Sequence, residues 1–134
     1  MLLKHIGLVC SSEKNSDNFY ENILGLKKMH SLTVPRTLAK QIFNLDIEYT
    51  IINYANDKIH FEIFVDEQKC FDNQKVEHVC IEVDNLEGFL NKCRDMEVEI
   101  LQIPRGAGFL TFIRDYDGNL FEIKEKLMDG PSSA

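Results

Sequence analysis

No stretch of the 134-residue chain approaches the roughly 20 consecutive apolar residues that a bilayer-spanning helix needs. The start, Met1-Leu2-Leu3, runs at once into Lys4 and His5 rather than into the apolar core of a secretory leader. A soluble, cytoplasmic protein with no membrane partner is therefore expected. Closely spaced cysteines are missing too. Cys10, Cys70, Cys80 and Cys93 are scattered, with no pair at zinc-knuckle or redox-motif spacing, so they read as reduced thiols. Cys10 and Cys80 fall in strand-like apolar runs and Cys93 on an amphipathic helix, where the role of small buried hydrophobe is expected. Positive charge is scarce: 15 Lys and Arg face 22 Asp and Glu, a formal net charge of −7. That balance argues against binding to nucleic acid or anionic membranes, and leaves any anionic substrate dependent on local cations. What the chain does have is 44% hydrophobic residues, enough for one compact domain or two half-domains sharing a core.

The chain repeats itself. His5-Ile6-Gly7-Leu8-Val9-Cys10 returns as His78-Val79-Cys80-Ile81-Glu82-Val83, and Phe61-Glu62-Ile63 returns as Phe121-Glu122-Ile123. Each half thus opens on a strand-borne histidine and closes on a strand-borne glutamate. In the first half, residues 3 to 10 alternate as a strand. A helix capped by Asn15 or Ser16 then carries Phe19, Tyr20, Ile23 and Leu24 on one face and stops at Gly25. After Pro35, strands are expected at 38 to 44, 48 to 54 and 58 to 65, with Asn56-Asp57 turning the chain between the last two. In the second half, a strand at 76 to 83 leads through a capping box, Asp84-Asn85-Leu86-Glu87, into a helix with Leu86, Leu90, Cys93 and Met96 in line. Strands at 98 to 103, 109 to 114 and 119 to 125 follow. The expectation is an α+β fold: one domain over 1–127 made of βαβββ modules 1–66 and 75–127, a polar surface linker from Asp66 to Lys75, and a flexible tail at 128–134.

Strand parity sorts the side chains, because residues two apart share a face. One face carries Ile6, Leu8 and Cys10, then Phe61, Ile63 and Val65, then Val79, Ile81 and Val83, then Phe121 and Ile123. It is apolar throughout, as a surface beneath amphipathic helices must be. The other face carries His5, Gly7 and Val9, then His60, Glu62 and Phe64, then His78, Cys80 and Glu82, then Leu120, Glu122 and Lys124. Taken singly, a histidine or glutamate there is ordinarily solvated. Two histidines and two glutamates recurring at matching places in two copies of one unit point instead to a metal site at a pseudo-two-fold axis.

These marks, with Leu24-Gly25-Leu26 after the Phe19-Tyr20 helix and the run Asp115-Tyr116-Asp117-Gly118-Asn119-Leu120-Phe121-Glu122, resemble the vicinal oxygen chelate superfamily over residues 2 to 126. That superfamily includes glyoxalase I, methylmalonyl-CoA epimerase, fosfomycin-resistance proteins, extradiol dioxygenases and bleomycin-sequestering proteins. The resemblance implies paired βαβββ modules in a curved, cup-shaped mixed sheet with helices on its convex face, and commonly a homodimer. It also implies a ligand set. His5, Glu62, His78 and Glu122 match the His, Glu, His, Glu order of bacterial glyoxalase I, a donor set suited to one divalent ion, Ni²⁺, Co²⁺, Zn²⁺ or Mn²⁺. The implied activity is that of a metal-dependent lyase or isomerase. A small substrate with adjacent oxygens chelates the ion, and Glu122 or Glu62 moves a proton next to a carbonyl through a metal-bound enediolate.

The sequence departs from that pattern where glutathione would sit. Val9 stands at the position of an arginine that grips a glutathione carboxylate, and Asp66 at that of a contacting asparagine, so a substrate other than a glutathione adduct is expected. Arg105 and Lys124 are the basic residues available as anion anchors, while Val9 and Phe64 flank the ligand face. Two rivals stand beside this reading. One is an extradiol-type dioxygenase or thiol transferase in which Glu62 is not a ligand. The other is a metal-free binding protein lined by aromatics such as Phe43, Tyr54, Phe64, Phe109 and Phe112, against which the absence of tryptophan weighs.

Overall fold

The computed structural model describes residues 1–127, so the tail expected at 128–134 lies outside the described residues. The chain divides into two compact units, Met1–Phe71 and Asp72 onward. Each holds a four-stranded mixed sheet, and the fold is α+β as expected. Among the described residues, no helix is long and apolar enough to cross a membrane.

In the first unit, β1 (Ile6–Cys10) ends at Ser12, whose hydroxyl caps α1 (Glu13–Ser16) by accepting the Asn15 amide at 3.1 Å. The cap therefore falls ahead of the expected Asn15 or Ser16, because the helix starts at Glu13 and an N-cap side chain serves the amides two or three residues on. The helix runs on into a π-helical segment, Asp17–Ile23, where the Leu24 N–H reaches the Phe19 carbonyl five residues back at 2.9 Å. This segment buries Phe19, Tyr20 and Ile23. The Tyr20 ring stacks 5.4 Å from Tyr54 and lies 5.3 Å from Phe61, on the apolar face predicted by parity. Each such ring removed from water contributes about 1.5–3 kcal/mol. Asp17 also accepts the Tyr54 hydroxyl at 2.7 Å and Lys28 Nζ at 3.1 Å.

The next elements correct the sequence reading. Residues 38 to 44, expected as a strand, lie in α2 (Arg36–Phe43) and its C-cap, while the strand, β2, spans Lys27–Val34. Pro35 does not merely interrupt. Its fixed φ of −61° starts the helix, Ala39 is buried, and Asn44 in the left-handed region (φ 57°) ends it. β3 (Tyr49–Ala55) and β4 (His60–Val65) complete the sheet in the order β1-β4-β3-β2, with β1 and β4 parallel. Between them Asn56 accepts the Lys58 and Ile59 amides at 2.8 and 2.7 Å, making the expected turn.

The second unit follows its expected order: β5 (His78–Val83), α3 (Leu86–Asp95), β6 (Glu99–Arg105), β7 (Gly108–Arg114) and β8 (Leu120–Glu125). The sheet order is β5-β8-β7-β6, the topology of the first unit again, with β5 and β8 parallel. Asn85, not the box's first residue Asp84, caps α3 by accepting the Gly88 amide at 2.9 Å, and Glu125 takes the Leu86 amide at 2.8 Å. Leu90 and Cys93 are buried, and burial pushes the Cys93 thiol up to about 11, so it packs as an inert hydrophobe. The residues opening this unit are more than a linker. The Asp72 amide bonds the Asp117 carbonyl, and Lys75 Nζ reaches Asn119 Oδ1 at 3.2 Å.

Candidate metal centre and ligand face

In the first unit the parallel ladder sets Gly7 opposite Glu62, with His5 two residues before Gly7 and on the same face. His5 Nε2 lies 2.8 Å from Glu62 Oε1. In the second unit Cys80 stands opposite Glu122, and His78 precedes Cys80 by the same two residues. His78 Nε2 lies 4.0 Å from Glu122 Oε1. The structure thus brings the four sequence-predicted ligands together as two pairs, each built by one register step of a parallel ladder.

These pairs fit a metal. Two ligand atoms about 2.1 Å from an ion and at right angles to each other are about 3 Å apart, which the His5–Glu62 contact matches, while the His78–Glu122 contact is wider. The His78 ring is oriented to suit an ion as well. Its Nδ1 lies 2.8 Å from the Val76 carbonyl, an acceptor only, so Nδ1 carries a proton and Nε2 is the nitrogen left to meet an ion beside Glu122. Both carboxylates are partly buried, with side chains 20% and 17% exposed, whereas both imidazoles are open at their edges.

Around the pairs the two units differ. Opposite Glu62 on β3 stands Asn53, buried at 3% exposure. Its Nδ2 donates to the His30 carbonyl at 3.2 Å, where β2 bulges between Lys28 and Ser31. Its Oδ1 therefore faces His60 Nε2 at 2.6 Å, which assigns the proton to that nitrogen. The His60 ring in turn lies 5.8 Å from the His5 ring. Opposite Glu122 stands Phe112 instead, its ring edge-on to His78 at 6.1 Å. Cys80, expected as a small buried hydrophobe, is exposed on this face, and partial desolvation, then the Glu122 charge, pushes its thiol up.

On the strands that carry Gly7 and Glu62 the first unit has a half-open cavity of about 190 Å³ lined by Gly7, Val9, Phe43, Leu45, Tyr49 and Phe64. Val9 and Phe64 were expected on this face; Leu45 and Tyr49 carry no sequence signal that marks them as lining. Lys124 pairs with Glu82, one step past Glu122 on the same face. Arg105 pairs with Gly108 at the tip of the β6–β7 hairpin, four residues along β7 from Phe112, so it stands about 13 Å along the sheet from the Glu122 row.

The turn that leads into β8 is locked from within. Asp115 Oδ1 accepts the Asp117 and Asn119 amides at 3.0 and 2.8 Å, and Asn119 Nδ2 donates to Asp115 Oδ2 at 2.7 Å. Gly118 within it has φ 92°. That rigidity fixes where β8 begins and hence the height of Glu122 on its strand.

With this geometry in place, the model of the Glyoxalase/Bleomycin resistance protein/Dioxygenase superfamily matches residues 2–123. The chain belongs to that superfamily. Superfamily membership is matched by fold. The fosfomycin resistance protein FosX from Listeria monocytogenes superposes with a TM-score of 0.70 at 16% identity, over 96% of this chain and 95% of that one. A glyoxalase family protein from Enterococcus faecalis gives 0.68 at 18% identity, over 91% and 95%. A mutant of the Listeria FosX, at 0.68, 16% identity and 91% and 87% coverage, was solved in complex with Mn(II) and 1S,2S-dihydroxypropylphosphonic acid. At these identities the likeness is one of fold. No curated protein matches the sequence significantly.

Proposed function

We propose that this superfamily member is a metal-dependent enzyme of the glyoxalase type, a lyase or isomerase that moves a proton next to a carbonyl in a small substrate with adjacent oxygens. His5, Glu62, His78 and Glu122 are the ligands of one divalent ion. The observation that carries this reading is the repeated pair: in each unit an imidazole Nε2 is set against a carboxylate by the same register step, and the Val76 carbonyl takes His78 Nδ1, leaving Nε2 for an ion. A bound ion supplies Lewis acidity, polarising the substrate oxygens and acidifying the neighbouring C–H.

The protein's own residues do the rest. Glu62, in direct contact with His5, serves as a fixed ligand. Glu122, whose contact with His78 is longer, is the carboxylate that turns to take and return the proton. Glutathione recognition is not provided for. Val9 lines an apolar cavity, and the Asp66 carboxylate is already used in accepting the Gln68 amide at 2.9 Å.

Elemental analysis tests the reading. One divalent ion per chain is expected, lost in His5→Ala and His78→Ala. Metal added to a hundred times its Kd stabilises the fold by about 2.7 kcal/mol, seen as a rise in Tm. Glu122→Gln is expected to keep more of the ion than His78→Ala while abolishing proton exchange. Protein that holds no ion and does not gain Tm with any of Mn²⁺, Co²⁺, Ni²⁺ or Zn²⁺ overturns it.

A further inference from the structure

We propose that the cavity lined by Val9 and Phe64 is a recognition subsite for an uncharged aromatic or branched aliphatic group. On the metal-enzyme reading above, on which this rests in part, the substrate carries adjacent oxygens and, next to them, an apolar arm that fills this cavity.

The subsite is built by α2, an element with no counterpart among the described residues of the second unit. Ala39 packs with Val34, Tyr49 and Ile51 and sets the helix against Phe64. Phe43 at its end then meets Phe64 edge-on at 5.4 Å and Tyr49 at 6.5 Å, while Tyr49 and Phe64 meet edge-on at 5.6 Å. Edge-to-face packing of this kind favours a further ring over a polar guest. Asn44 reverses the chain and brings Leu45 to the rim. Gly7 supplies the remaining space: a Cβ there would stand 3.4 Å from Phe64 Cε1.

Size and polarity agree on the ligand. An apolar cavity of about 150 Å³ is large enough to take benzene; this half-open one measures about 190 Å³. None of its six lining side chains is charged. The phenol of Tyr49 is the one polar group among them, and burial followed by the Asp66 charge keeps it protonated. A carboxylate or phosphonate placed here would meet no counter-charge from the lining. Phe43 and Leu45 are 42% and 48% exposed, so an apolar guest would cover surface that now faces water.

Mandelate and lactate offer the same adjacent oxygens and differ by phenyl against methyl, which makes them suitable probes. In calorimetry on metal-loaded protein, mandelate is expected to bind at least about tenfold more tightly than lactate. Val9→Phe, which places a ring in the cavity, and Leu45→Asp, a charge at its half-exposed rim, are each expected to erase that preference. Equal affinities in the parent protein, or a preference that survives both substitutions in folded protein, overturn the proposal. Benzyl alcohol, which has no second oxygen, separates the cavity from the metal. On metal-free protein it is expected to shift the methyl resonances of Val9 and Leu45, a result that stands even if no ion binds. Absence of those shifts overturns the subsite whatever the metal analysis shows.

Discussion

Gly118→Ala is predicted to be among the most damaging small substitutions in the second unit, and a second glycine supplies its control. Gly118 has φ 92° and Gly25 φ 71°, so alanine at either is placed in the left-handed region at about 1–2 kcal/mol. Alanine also lowers the entropy of the unfolded chain, offsetting about 0.4–1 kcal/mol of that at each site. There the likeness ends. A Cβ on Gly25 meets nothing within 4 Å, whereas one on Gly118 overlaps the Asp72 carbonyl oxygen and comes within 2.8 Å of its carbon. Forcing an atom into packed backbone adds about 1–3 kcal/mol. Relief would require Asp72 to move, breaking its amide bond to the Asp117 carbonyl and loosening Lys75 from Asn119. The expected losses are therefore about 1 kcal/mol for Gly25→Ala and about 2–4 kcal/mol for Gly118→Ala. At about 4 °C per kcal/mol for a chain of this size, the second should melt about 8–16 °C below the parent. Urea and thermal unfolding followed by circular dichroism measure both. Equal losses at the two glycines would refute the reasoning, since only the Asp72 contact distinguishes them.

Two further predictions concern the first unit. Asn53→Leu should cost about 2 kcal/mol, because it strands the His30 carbonyl at the bulge and the proton on His60 Nε2; unchanged urea stability would show that neither bond matters. Burial, and then the Asp17 carboxylate, raises the Tyr54 hydroxyl well above the ordinary tyrosine range, so the folded chain keeps a proton that the unfolded chain gives up above about pH 10. Tyr54's contribution is therefore complete below pH 10 and falls as pH rises past it, and stability should drop less between pH 9 and 11 in Tyr54→Phe than in the parent. Parallel declines in the two proteins would contradict that assignment.

The second unit was legible in the sequence because its signals agree: alternating strands, a capped helix and a turn rich in Asp, Asn and Gly all point the same way. In the first unit Pro35 was ambiguous, since proline can end a strand or start a helix. β2 hid because it is an edge strand whose side chains are mostly exposed, leaving no alternation to read, and α2 hid because Leu38 and Ile42 face outward. The His–Glu pairs were visible through parity and repetition, which depend only on residue spacing. Asn53 left one trace, an amide inside the apolar run Ile51-Ile52-Asn53-Tyr54, but one partner, the His30 carbonyl, lies at a bulge that no local pattern announces, and the other, His60, comes from β4. The cavity was least legible. Its walls come from β1, β3, β4 and the end of α2, and an element read as a strand cannot foretell what a helix encloses.

The ladder that spaces each histidine from its glutamate also makes each pair independent of most of the sequence around it. Backbone hydrogen bonds, common to every residue type, fix the spacing, so most neighbouring side chains can be exchanged and most loops resized without moving a donor atom. A slip of one residue would instead turn each donor to the opposite face and abolish the pair at a stroke. The fold itself tolerates such exchange, since it still superposes on that of the Listeria protein at a TM-score of 0.70 when 16% of the sequence is shared.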